Sequence, residues 1–352
     1  MKKSILVLCG LLAACAHLPT DAHAKTQTAP LRVGVYVDDG ARANGWAAWL
    51  RLLHSSPQIK PTLLDGASVR NGALDRIDVF VMPGGNSLNE GTAMQLSGRN
   101  KLKAWIANGG RYFGTCAGCS FLMQNDDRFI KLIPYRRNPS TPSGGSDWLN
   151  ISVTERGEEL TGIKAGIHPQ RYHGGPLLVS TNVVIDSEIE VIGTWQQDYR
   201  SGNPSPSMVG YPSLLCGRHG QGKLFATTGH PEHFLRTRDF IVGGFRYLTG
   251  VEVSFTPPKR PRGGKTVGFY TPCVAGIATA QRFLELDSDP SLVVIPVQAD
   301  DLKGSVTNQL KEIVFPAGNA SSYTNNLKTI RTFIDTFTAN GGTVINESSI
   351  SF

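Results

Sequence analysis

The pentapeptide Gly114-Thr115-Cys116-Ala117-Gly118 places a nucleophilic side chain where it can be used. It follows the strand-like run Arg111-Tyr112-Phe113 and precedes a stretch expected to be helical. A cysteine there stands on a sharp strand-to-helix turn, with flanking glycines that let the backbone bend. A helix start favours negative charge and so should stabilise a thiolate. The next backbone N–H, from Ala117, can face a developing oxyanion. Far along the chain stands Gly229-His230-Pro231-Glu232, after the strand-like run Gly222 to Thr227. Pro231 fixes the chain direction between the two polar residues. A histidine with a carboxylate two residues on can be held in one tautomer and act as general base to a thiol. Taken singly, Cys116 reads as a buried core cysteine, and His230 and Glu232 read equally well as a surface histidine and a helix-capping acid. Together they point to nucleophilic catalysis.

A second chemistry competes. Cys116-Ala117-Gly118-Cys119 is a C-x-x-C at a helix start, the arrangement of dithiol oxidoreductases. Redox catalysis has no need of His-Pro-Glu, so Cys119 reads instead as a small buried neighbour under the turn. Cys216 and Cys273 fall in different segments, and both pairing and free thiols remain open for them. No metal-ligand cluster and no cofactor motif is read.

The elements that must position these residues alternate between strand and helix. Leu31 to Val37 is an apolar strand closed by Asp38-Asp39-Gly40, and a helix is expected near Trp46 to His54. Asp78 to Met82 is a second strand, stopped by Pro83-Gly84-Gly85. Lys101 to Ala107 reads as a helix before Asn108-Gly109-Gly110, and Arg111 to Gly114 as a third strand. Such alternation implies an α/β fold, a parallel sheet with helices on both faces. The segment Arg136 to Asp147 reads as a surface loop, in which Arg136 and Arg137 could receive an acidic substrate or face solvent.

The series then returns. Val267-Gly268-Phe269-Tyr270 echoes Val33-Gly34-Val35-Tyr36, Glu312 to Asn319 echoes Val79 to Asn86, and Ala339-Asn340-Gly341-Gly342 echoes Ala107-Asn108-Gly109-Gly110. Three motifs kept in register imply an internal repeat. The second copy has about Ser348 where the first has Cys116, and it stops at Phe352. It is expected to be a truncated, degenerate half-repeat over 266–352. A stiff Pro- and Arg-rich linker (256–265) joins it to a main domain over 25–255.

Composition and the first residues bound the setting. With 40% hydrophobic residues among 352, the chain is too apolar to be disordered, and its six cysteines do not make a disulfide scaffold. Met1-Lys2-Lys3 followed by the apolar run Ile5 to Ala14 fits a secretory signal within 1–24. Leu12-Ala13-Ala14-Cys15 resembles a lipobox with Cys15 lipidated, and Ala22-His23-Ala24 is a competing cleavage site. The expected setting is extracytoplasmic: a periplasmic or membrane-anchored lipoprotein, otherwise a secreted protein. Loss of Lys2 and Lys3 lowers the formal charge from +7 to +5. That mild balance, with no interleaved aromatic and basic stretch, argues against a nucleic-acid partner.

Pro83-Gly84-Gly85, Gly114 to Gly118 and His230-Pro231-Glu232, in that order, resemble the class I glutamine amidotransferase-like superfamily. Within it, the chain is most similar to the domain at the N-terminus of biotin–protein ligases. Tyr172-His173-Gly174-Gly175-Pro176 and Gly220-Gln221-Gly222-Lys223 resemble segments of that domain. The resemblance covers about residues 31–250. It implies a flavodoxin-like fold, Cys116 as nucleophile, His230 as base and Glu232 as orienting acid. It also implies that Gly85 and Ala117 supply oxyanion N–H groups. Gly84, Asn86, Tyr172, His173, Gly174 and Gly175 become pocket candidates on the same ground. No biotin-ligase catalytic domain follows, so biotin transfer is not expected. The expected activity is cleavage of an amide or ester bond in a small molecule or peptide. A ligand- or partner-binding module on the same scaffold is the alternative, and thiol redox the second alternative.

Overall fold

The computed structural model describes residues 29–142, 146–199, 207–256, 264–271, 276–298, 301–303, 308–317, 323, 326–348 and 350. The signal segment with Cys15, most of the linker and Cys273 lie outside them.

The first half of the fold is built from β1 (Leu31–Tyr36), α1 (Ala43–His54), β2 (Ile59–Leu64) and α2 (Gly66–Arg70). It continues with β3 (Val79–Met82), α3 (Ser87–Ala107), β4 (Arg111–Thr115) and the single-turn α4 (Ala117–Ser120). Every residue of β3 is buried, as expected of a strand covered on both faces. Helix α3 is far longer than the expected Lys101–Ala107. Asn86 caps its start by accepting from the N–H groups of Leu88 and Asn89, and the helix absorbs a kink at Gln95. That kink interrupts the apolar spacing and hides the first half of the helix from a periodicity reading.

The second half adds β5 (Tyr135–Arg137), β6 (Asp147–Val153), α5 (Glu155–Thr161), β7 (Gly166–Tyr172) and β8 (Leu178–Ser180). After them come β9 (Ser187–Trp195), β10 (Pro212–His219), β11 (Gly222–Thr227) and α6 (Arg238–Thr249). Among the described residues the central sheet has nine strands in the order β2-β1-β3-β4-β11-β10-β9-β6-β7. The expected parallel sheet is therefore corrected to a mixed one. The strands β2, β1, β3, β4 and β11 run parallel, whereas β10, β9, β6 and β7 extend the sheet antiparallel. The connections explain the change: Gly220-Gln221 is too short for a parallel crossover and can only make a hairpin between β10 and β11. The expected loop over Arg136 to Asp147 is likewise bounded by strands, since Arg136 and Arg137 pair with β8.

Toward the C-terminus, β12 (Lys265–Tyr270), β13 (Leu292–Val297), β14 (Glu312–Phe315) and β15 (Thr343–Asn346) form a second, parallel sheet, with α7 (Ile277–Asp287) and α8 (Leu327–Ala339) between them. Its order, β13-β12-β14-β15, reproduces β2-β1-β3-β4. The pairing register repeats too. Val33 opposes Val79 as Val267 opposes Glu312, and Phe80 opposes Tyr112 as Ile313 opposes Val344. The two sheets meet through α1 and α7. Trp46 packs edge-on against Phe283 at 5.3 Å, and Arg51 grips the Asp287 carboxylate at 2.6–3.0 Å.

The core beneath the future site centres on Phe113 of β4. Its ring lies 4.9 Å from Trp49, 4.8 Å from Phe225 and 5.7 Å from Phe245, so it ties α1, β11 and α6 to β4. Truncating such a residue typically costs about 3–5 kcal/mol.

Candidate active site

Strands β4 and β11 are parallel neighbours, with Thr115 opposite Thr227. The Cys116 N–H extends the ladder by donating to the Thr227 carbonyl at 2.9 Å. There β4 ends abruptly: Cys116 has φ 52° and ψ −104°. A non-glycine residue held at such angles costs about 1–3 kcal/mol and persists only where its surroundings impose it. Here they do. The Tyr112 hydroxyl donates to the Gly118 carbonyl at 2.7 Å. A side chain on Gly118 would lie 2.2 Å from the Met82 carbonyl oxygen, so only glycine fits the return of the chain against β3. The strand-turn-helix read from the pentapeptide is present, although α4 runs only from Ala117 to Ser120.

The chain after β11 is tied as firmly. The Trp195 indole donates to Thr228 Oγ1 at 3.0 Å, and the Thr228 N–H donates to the Ser213 carbonyl at 2.9 Å. The His230 N–H donates to the Arg171 carbonyl at 2.9 Å, and the Thr237 hydroxyl donates to that of Pro231 at 2.8 Å. These bonds orient the His230 ring, whose Nδ1 lies 2.8 Å from Glu232 Oε1. Its Nε2 is buried with no hydrogen-bond partner among the described residues. The ring and the thiol meet beside Gly84. A Cβ there would stand 2.5 Å from His230 Cε1 and 3.3 Å from Cys116 Cβ.

Charge completes the picture. Burial alone would push the His230 imidazole down, but the adjacent Cys116 and Glu232 charges outweigh it and hold the ring well above its ordinary value. Burial works against Glu232 as a carboxylate, and the His230 charge and hydrogen bond keep it below its usual range. Two further histidines are held neutral. Burial, His230, Arg171 and Arg42 push His173 down to about 4. Burial, against the pull of Glu232, pushes His233 down to about 3.

The other residues named from the sequence divide by what they touch. The His173 carbonyl oxygen lies 3.8 Å from Cys116 Sγ, and the His173 ring lies 6.0 Å from that of His230. Tyr172 is buried and donates to the carbonyls of Pro142 and Gly175, so it shapes the loop rather than presenting its hydroxyl. Gly174 and Gly175 carry the turn behind it, Gly175 pressed against the Thr228 carbonyl. Asn86 spends its side-chain oxygen on the α3 cap. Gly85 bridges to Ala41, closing the loop beside Gly84. Arg136 and Arg137 are exposed. Cys119 and Cys216 are buried and free, and burial pushes both thiols up.

Two neighbours of the site were not read from the sequence. Glu90, in the first turn of α3, is fully buried, and neither carboxylate oxygen finds a hydrogen-bond partner among the described residues. Burial, then the charges of Cys116 and Asp39, push it well above the usual carboxylate range. An acid early in a helix reads as a solvated residue, so nothing in the pattern singles it out. His233 does have a signal, the spacing His230-x-Glu232-His233. Its Nε2 lies 3.5 Å from Glu232 Oε1.

Comparison with known proteins adds the following. No curated protein matches the sequence. Among solved structures, a ThuA-like protein from Bacteroides uniformis aligns at 13% identity and TM-score 0.47, over 62% of this chain and 92% of its own. A cytoplasmic protein from Salmonella typhimurium aligns at 12% and 0.38, over 62% and 98%. A β-galactosidase from Bacillus circulans sp. alkalophilus aligns at 13% and 0.37, over 66% and 32%. Residues 72–126, the segment that holds Pro83-Gly84-Gly85, Glu90 and the Cys116 turn, match the family model of the N-terminal domain of biotin-protein ligase, in keeping with the resemblance carried by those motifs.

Proposed function

We propose that the protein is an exported cysteine hydrolase that cleaves an amide or ester bond through Cys116, His230 and Glu232. The observation that carries this reading is the convergence beside Gly84 of a strained Cys116 and a His230 ring whose other nitrogen is held by Glu232. The glutamine amidotransferase-like likeness supports hydrolytic or transfer chemistry of this general kind. The Cys116 sulfur attacks the carbonyl carbon, and the proton held on His230 passes to the leaving amine or alcohol. Glu232 holds the ring in place for both transfers. Backbone N–H groups of Gly85 and Ala117 receive the developing oxyanion. Water then attacks the acyl-enzyme, with His230 taking its proton. Export rests on the Lys2-Lys3 start and the apolar run to Ala14, with lipidation at Cys15 the favoured anchor.

A second reading, a binding module without turnover, draws on the closure of the site: Cys116 is only 7% exposed. Trapping separates the two. A panel of electrophilic amide and ester probes labels the wild type at Cys116 and leaves Cys116→Ala unlabelled if the hydrolase reading holds. No adduct across the panel, with the fold intact, favours the binder.

A further inference from the structure

We infer that His230, Glu232 and His233 form a binding site for a zinc-class divalent cation, entered from the cleft between the two sheets. Glu232 and His233 leave the turn Pro231–His233 and His230 caps its start, and each offers a ligand atom within 4.8 Å of the others. Glu232 Oε1 stands between two imidazoles, 2.8 Å from His230 Nδ1 and 3.5 Å from His233 Nε2. Glu232 Oε2 is buried with no hydrogen-bond partner among the described residues. Two imidazole nitrogens and a carboxylate are a donor set that zinc takes with a fourth position left open. Tetrahedral ligands about 2.0–2.1 Å from the metal stand roughly 3.3 Å apart; here Glu232 Oε1 is 2.8 and 3.5 Å from the two imidazole nitrogens, and no two of the three ligand atoms are more than 4.8 Å apart.

The turn borders a cleft of about 1460 Å³ whose lining includes Arg51 of α1, Leu284 of α7, Ile295 of β13, Glu232 and His233. The His233 side chain is 11% exposed and that of Glu232 0%, so His233 is the ligand an entering ion meets first. Binding displaces the proton shared by His230 Nδ1 and Glu232 Oε1, which leaves to solvent. Glu232 then holds the metal instead of the imidazole. The regulatory consequence rests on the hydrolase reading: the occupied site and the working triad exclude one another, so zinc is an inhibitor.

Binding is measured on the full chain by competition with a chromophoric zinc indicator. The wild type takes one equivalent, Cys116→Ala binds within threefold of it, and His233→Ala and His233→Gln bind at least tenfold more weakly. Circular dichroism checks that each variant is folded. X-ray absorption gives an independent result: a shell of nitrogen and oxygen only, with no sulfur at about 2.3 Å. Sulfur in that shell, or unchanged affinity in both His233 variants, overturns the site. Zinc also slows probe labelling of Cys116 in the wild type more than in His233→Ala. If the wild type is never labelled while one zinc still binds through nitrogen and oxygen, the hydrolase reading fails and the metal site stands.

Discussion

Gly84 and His230 are in such close contact that the glycine has no room for even one carbon. A Cβ on Gly84 would fall 2.5 Å from His230 Cε1, nearer than real side chains approach, and a tight 3.2 Å from Nδ1. The turn after β3 is therefore one wall of the slot in which the imidazole faces the thiol.

Gly84→Ala tests that wall. The added methyl must push the ring from the thiol, at an overpacking cost of about 1–3 kcal/mol. Mispositioning a general base is expected to cost on the order of 10²-fold in the rate of probe acylation. A variant that stays folded and reacts at the wild-type rate would show that the ring position is immaterial.

Alkylation separates the cysteines. Iodoacetamide mapping of the folded protein is expected to find Cys116 far more reactive than Cys119 or Cys216, whose thiols are buried in the core and pushed up. Equal labelling would argue against an activated Cys116, and a Cys116–Cys119 disulfide in the isolated protein would revive the redox alternative.

The His230 charge is visible to NMR. With ¹⁵N-histidine labelling, the ring is expected to remain imidazolium at pH 7.5 in the wild type, because Cys116 and Glu232 hold it up. In Cys116→Ala one of those charges is gone, and the midpoint moves down. A midpoint unchanged by that substitution would mean that the sulfur does not act on the ring.

Glu90 makes a prediction about stability. In the unfolded chain it ionises near a pKa of about 4.3. In the folded protein burial keeps it protonated to higher pH. Above pH ~4.3 the native state thus binds more protons than the unfolded one, and stability falls as pH rises toward the native value. Glu90→Gln removes that loss. Its Tm is expected to fall less than the wild-type Tm between pH 5 and pH 8, and to exceed it at pH 8. Parallel Tm profiles would refute a buried neutral Glu90.

The Arg51–Asp287 pair joins the sheets, with side chains 26% and 17% exposed. Arg51→Ala also removes a cation over the Phe283 ring at 4.9 Å. Breaking the partly buried pair is expected to destabilise by about 1–3 kcal/mol. Hydrogen exchange is expected to quicken in α7 ahead of β4. Unchanged exchange in α7 would show that the contact does not hold the sheets together.

Local chemistry was legible wherever it was consecutive. Gly114 to Gly118 announced the turn at Cys116 because glycine and alanine beside a strand leave few other conformations. His230-Pro231-Glu232 announced an imidazole–carboxylate pair because proline restricts the chain between them. The antiparallel half was not legible. Strands such as β7 and β9 are half-exposed and partly polar, so they lack the apolar run that marked β1 and β3. Glu90 was silent because an acid in the first turn of a helix reads as solvated, and the chain that packs against it includes the distant Gly40.

The sequence by itself determined the alternation of strands and helices, the repeat and its register, and the turn on which Cys116 sits. Each follows from neighbours a few residues apart or from a motif that recurs. The tertiary structure alone decided that β11 would lie beside β4, which carries His230 across 113 intervening residues to the thiol. It alone sealed Glu90 from water and set the turn that carries His233 beside the cleft. Strand order and burial depend on how the whole chain packs, and no local pattern encodes them.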